Sequence, residues 1–128
     1  MGKKLDEFQA NRLEMNEKLI GSKNINIKRF FALDERAYDD GALSHKTKEL
    51  LGLSASLVSR CDDCITYHLL QCHEAGVTKE EFLETLNIGL IVGGSVVIPH
   101  ARRAIAVLDE LDEDAAAAAA AAAESEEA

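Results

Sequence analysis

A single proline, Pro99, stands in 128 residues, so everything before it can form backbone-bonded elements without the break that proline imposes. The remaining punctuation is that of helices. Gly76 closes a run from Asp62 to Ala75. Thr78 and Glu81 have the spacing of a capping box and open another helix carrying Phe82, Leu83 and Leu86. Upstream, Leu5–Ile20 reads as a surface helix ending near Gly21. Ile25–Tyr38 is a second, stopped by Asp39-Asp40-Gly41, and Ser44 is placed to cap a third from His45 to about Ser59. Ile88–Ile98 is β-branched enough for a strand. We read it as a helix end, a break at Gly93-Gly94, and a last helix capped by Ser95 with Pro99 in its first turn. With no tryptophan and few aromatics, the expectation is an all-α, single-domain bundle of about six helices over 1–111.

Residues 112–128 form an acidic, alanine-rich tail, in which Ala115–Ala123 is either an extension of the last helix or a frayed end. The net charge of −9 belongs largely to the chain's end: the last twenty residues hold eight acids and no base. The rest is nearly neutral and has no basic stripe for nucleic acid. The opening Met1-Gly2-Lys3-Lys4-Leu5-Asp6-Glu7 turns acidic where a leader would be apolar, so no export signal and a cytoplasmic location are expected. The apolar stretch Ile88–Pro99 is too short to span a bilayer. A domain this small buries a modest share of its surface, which favours self-association.

The chemistry concentrates in one stretch. Cys61 and Cys64 are two residues apart, His68 follows four later, and Glu49 precedes Cys61 by twelve. On a helix, Cys61, Cys64 and His68 share a face, and Cys64 and His68 stand at i and i+4. A nearby imidazole can take a thiol proton, and a second thiol can resolve an oxidised sulfur as a disulfide. Cys61, at a helix start, has the helix dipole in its favour, and Arg60 adds to it. Asp62 and Asp63 oppose thiolate formation. These opposing influences leave open which thiol is the nucleophile.

Cys72 lies on the same stripe, which raises a zinc reading. On one helix, however, Cys61 and Cys72 are about 16 Å apart, and Zn–S bonds of about 2.3 Å cannot gather both. Cys72 is better read as a packed thiol. His45, His73 and His100 read as surface or packing residues.

The pattern Glu49-x11-Cys61-x-x-Cys64-x3-His68, with the Ala75-Gly76 stop and a helix opening at Thr78, resembles the carboxymuconolactone decarboxylase-like family, in its AhpD-type alkylhydroperoxidase branch. The likeness covers about 31–111. It implies an all-α bundle associating into trimers or hexamers. It also implies a thiol peroxidase acting on alkyl hydroperoxides, with Cys64 as peroxidatic thiol and Cys61 as resolving thiol. Glu49 would draw the proton through a water and His68. A dithiol reductant, lipoyl or thioredoxin-like, would complete the cycle, with neither cofactor nor metal required. Asp63 stands where members of that branch often carry histidine, one cation fewer beside the pair. The alternative is a non-enzymatic, redox-responsive oligomer that binds a partner; a zinc-binding structural protein is the least favoured reading.

Overall fold

The structure, a computed structural model, describes residues 2–127; Met1 and Ala128, the outer ends of the segments expected above, lie outside them. The described residues form six α-helices and one 3₁₀ turn, joined by short connections, and no strand is found among them. They fall into two compact units, Met1–His45 and Lys46–Ala128.

The first unit is a helical pair, α1 (Lys3–Gly21) packed on α2 (Ile25–Ala37). The Asn24 side chain caps α2, accepting the backbone N–H groups of Asn26 at 3.0 Å and Ile27 at 3.2 Å. No residue of α2 is buried, and Phe30 and Leu33 are exposed. Asp40, within the expected stop, accepts the His45 N–H at 2.7 Å.

The second unit holds α3 (His45–Val58) from Lys46 onward, together with α4 (Asp62–Glu74), α5 (Lys79–Gly93) and α6 (Ile98–Glu127), with a 3₁₀ turn at Ser95–Val97. Its core draws on every helix: Leu53 and Leu57 from α3, Ile65, Leu69 and Cys72 from α4, Phe82 and Leu86 from α5, Ala104 and Leu108 from α6. The capping box at Thr78 is formed reciprocally. Glu81 N–H donates to the Thr78 hydroxyl, and Glu81 Oε1 accepts the Thr78 N–H at 2.8 Å. Gly76 ends α4 at φ 81°, a conformation open to glycine without strain.

Ser95 departs from expectation. It is the first residue of the 3₁₀ turn, which makes no side-chain cap bond, and Gly94 takes the cap position at φ 81°. The Val97 N–H donates to the Gly94 carbonyl at 3.0 Å, so the turn starts from Gly94, whose φ is open to glycine without strain, and not from a Ser95 cap. Pro99 sits in the first turn of α6, where a missing N–H breaks no helical bond. Ala115–Ala123 continues α6 as an extension rather than a frayed end, although its side chains are exposed.

Candidate active site

The turn between α3 and α4 delivers the first cysteine. Arg60 adopts a left-handed conformation, φ 56°, at a position glycine usually fills. Arg60 N–H donates to Leu57 O and Cys61 N–H to Ser56 O, both at 3.1 Å. This pair of bonds closes α3 as a Schellman motif, at a cost of roughly 1 kcal/mol for a non-glycine residue. The chain leaves it with Cys61 extended, as the N-cap of α4, its sulfur accepting the Cys64 N–H at 3.2 Å. A disulfide joins Cys61 to Cys64. Cys61 is half-buried and Cys64 exposed.

One turn beyond Cys64, His68 is buried, and Glu49 on α3 is buried more deeply, at 1% exposure. His68 Nδ1 donates to Glu49 Oε2 at 2.8 Å. A buried carboxylate needs such a partner, because leaving it unpaired costs several kcal/mol. The resemblance implied a relay in which Glu49 acts through a water and His68; in the structure the Glu49–His68 link is direct.

Space for the imidazole is made by a residue that the sequence did not single out. A side chain on Gly52 would place its Cβ 2.6 Å from His68 Cε1 and 2.9 Å from both ring nitrogens. The ring therefore lies against the bare backbone of α3, one turn beyond Glu49. Ser56 follows along the helix, and its hydroxyl donates to the Gly52 carbonyl at 2.7 Å. A glycine inside a helix costs about 1 kcal/mol relative to alanine, and here the missing Cβ is what admits the ring. The only sequence signal was the apparent defect itself.

Cys72 lies two turns further along α4 than Cys64, fully buried in the core. Burial, and secondarily the Glu49 charge, push its thiol up to about 12. Among the described residues, no three His, Cys, Asp or Glu side chains are gathered as metal ligands would be. Nor is any helix among them long and apolar enough to cross a membrane.

A second polar cluster joins α4 to α6. Asp62, the residue after Cys61, accepts from His100 Nδ1 through Oδ1 at 2.7 Å and from Arg103 Nη1 through Oδ2 at 2.8 Å. His100, expected as a surface or packing residue, thus has a defined polar partner. His45 Nδ1 lies 2.7 Å from the Tyr38 carbonyl, and His73 Nε2 lies 3.8 Å from Asp112.

Known proteins share this arrangement of helices and sequence. The family model of the carboxymuconolactone decarboxylase family matches residues 27–110. An uncharacterized protein of the cox locus of Paracoccus denitrificans is 34% identical over 83 residues, covering 65% of this chain and 75% of that protein. The crystal structure of TM1620 from Thermotoga maritima superposes with a TM-score of 0.82 at 54% identity, covering 84% of this chain and 94% of that one. TM1620 is described as a carboxymuconolactone decarboxylase family protein with a suggested part in the antioxidative response. Apo-lpg0406 of Legionella pneumophila, another protein of this family, matches with a TM-score of 0.79 at 27% identity, over 86% of this chain and 98% of that one. With a family match over residues 27–110, which include the cysteine pair, Glu49 and His68, this chain belongs to the carboxymuconolactone decarboxylase family.

Proposed function

We propose that the protein is a thiol-dependent peroxidase and disulfide reductase acting on alkyl hydroperoxides. The observation that carries this reading is the buried Glu49–His68 pair at 2.8 Å, one helical turn beyond a cysteine that is already disulfide-bonded to its neighbour. An imidazole held by a carboxylate is the arrangement that activates a thiol as nucleophile. The antioxidative role suggested for TM1620 points the same way.

In the proposed cycle, His68 takes the Cys64 proton through a water, and Glu49 stabilises the imidazolium. The Cys64 thiolate attacks the terminal oxygen of R–O–O–H. The O–O bond breaks, and R–O⁻ leaves and takes a proton as alcohol. Cys64 becomes a sulfenic acid. The Cys61 thiol displaces its hydroxyl, forming the Cys61–Cys64 disulfide and water. A dithiol reductant, lipoyl or thioredoxin-like, then returns two electrons and two protons by exchange. No cofactor takes part, and the reaction is assigned to the cytoplasm.

Stopped-flow oxidation of the reduced protein by an alkyl hydroperoxide tests the reading. The expected result is one intramolecular disulfide per chain, abolished in Cys64→Ser. Peroxide turnover that survives Cys64→Ser refutes it.

The second reading, a redox-responsive assembly protein that binds a partner, draws on exposed apolar side chains. Ile91 and Val92 at the end of α5 and Val96 in the 3₁₀ turn are all more than half exposed. We assign this surface to self-association, as trimer or hexamer. Light scattering on oxidised and reduced protein separates the readings: a redox-dependent change in mass favours the second.

A further inference from the structure

We propose that Arg103, with His100, sets the redox poise of the Cys61–Cys64 pair by neutralising Asp62. The inference rests on the reading of that pair as redox-active and concerns how its potential is fixed. Asp62 is the first residue of α4 and directly follows Cys61. Its carboxylate is the nearest acid in sequence to Cys61, which is half-buried. Alone it would disfavour a thiolate there, and so disfavour the reduced pair relative to the disulfide. Both of its oxygens are engaged. His100 Nδ1 holds Oδ1 at 2.7 Å, and Arg103 Nη1 holds Oδ2 at 2.8 Å. The two donors stand three residues apart in the opening turns of α6, so they reach the carboxylate from one face.

The arrangement does two things to the cysteine pair. It fixes the Asp62 carboxylate, so its negative charge is held against the donor side chains of α6. It also brings a permanent cation to the start of α4, where the helix dipole already favours an anion. Arg103 acts through Asp62 and is a positioning residue rather than a catalytic one. Its side chain is 61% exposed and that of Asp62 45%, so solvent and salt screen the effect. The expected shift is therefore moderate, about threefold to tenfold in the disulfide exchange constant; tenfold corresponds to about 30 mV.

The test is equilibration of the full chain with mixtures of reduced and oxidised dithiothreitol. One dithiothreitol thiolate attacks the protein disulfide, giving a mixed disulfide and one free protein thiol. The second dithiothreitol thiol displaces the other protein sulfur, leaving cyclic oxidised dithiothreitol and a protein dithiol. Two electrons and two protons pass to the protein. Arg103→Gln should stabilise the disulfide, Asp62→Asn should stabilise the dithiol, and Arg103→Lys should stay near the wild-type value. High ionic strength should shrink the differences.

Opposite signs distinguish charge tuning from a simple clamp, because either substitution breaks the same bridge and a clamp would shift both variants in one direction. Same-sign shifts, or an Arg103→Gln variant indistinguishable from wild type at low salt, overturn the proposal. A wild-type pair that dithiothreitol cannot cycle would instead refute the redox reading itself and this inference with it.

Discussion

His68 Nδ1 and Glu49 Oε2, nineteen residues apart in sequence, meet at 2.8 Å in a buried contact between α4 and α3. A carboxylate on that side places the ring proton on Nδ1 and leaves Nε2 as the basic nitrogen, the state in which an imidazole accepts a thiol proton. Glu49→Gln keeps the shape and an acceptor for Nδ1–H but removes the charge that stabilises imidazolium. Peroxide oxidation of Cys64 should slow by roughly 10²-fold, the usual scale of a general-base contribution, with the fold retained. Stopped-flow rates and circular dichroism check both halves; an unaltered rate removes Glu49 from the relay.

Gly52→Ala asks whether the imidazole needs its seat. Helix propensity alone predicts a gain of about 1 kcal/mol. The new Cβ would stand 2.6 Å from His68 Cε1, and a buried ring held by Glu49 has little room to retreat. Stability should therefore fall rather than rise, and the oxidation rate should drop towards that of Glu49→Gln. Thermal melts and the His68 imidazole NMR signals report the two effects separately. A higher melting temperature with unchanged His68 signals would show that the ring does not depend on the missing side chain.

These two residues also mark how far the sequence could be read. Glu49, Cys61, Cys64 and His68 were expected together because their spacing resembles a family pattern, and the structure bonds Glu49 to His68 and Cys61 to Cys64; the Thr78–Glu81 cap was legible because its signal is local. Gly52 was not, since a helical glycine looks only like lost propensity until the neighbouring helix is in place. The Asp62 bridge joins residues 38 and 41 positions apart, and no local periodicity encodes such a contact. Ser95 misled because a serine after two glycines reads as a cap, whereas the positive φ at Gly94 is a backbone fact that only the packed turn reveals. Arg60 was legible as a charge but not as the left-handed residue that aims Cys61.

The capping box should give the protein an acid-sensitive element. Glu81 is held below its usual carboxylate range, first by the Thr78 backbone N–H and then by Lys46, 3.0 Å away. A depressed folded-state value means that the stabilisation is present above the unfolded value. It is lost as the pH falls below about 4.5 through the folded one. Glu81→Gln should be less stable than wild type at neutral pH and converge with it in acid. Thr78→Ala, which removes the hydroxyl cap, should cost about 1 kcal/mol at either pH. Urea unfolding at several pH values checks this; a constant gap between Glu81→Gln and wild type across the acid range would count against it.

Cys72 should make the fold sensitive to alkali while remaining inert itself. Its thiol is pushed up from 9.0 to about 12, chiefly by burial. In the unfolded chain it ionises near its ordinary value, while the folded protein keeps the proton. The unfolded state therefore binds fewer protons above pH 9, and stability is lost as the pH rises through the window up to about 12. By about pH 10.5 the loss should reach roughly 2 kcal/mol. Cys72→Ala should lower stability at neutral pH by leaving a small cavity, but it should remove that part of the alkaline slope. The difference between the two proteins isolates Cys72 from lysines and tyrosines that titrate in both. Denaturant unfolding of the oxidised proteins from neutral pH to about pH 10.5 measures the difference. Iodoacetamide on the reduced native protein should label Cys61 and Cys64 and spare Cys72; parallel slopes, or ready labelling of Cys72, would mean that this thiol is not sealed in the core.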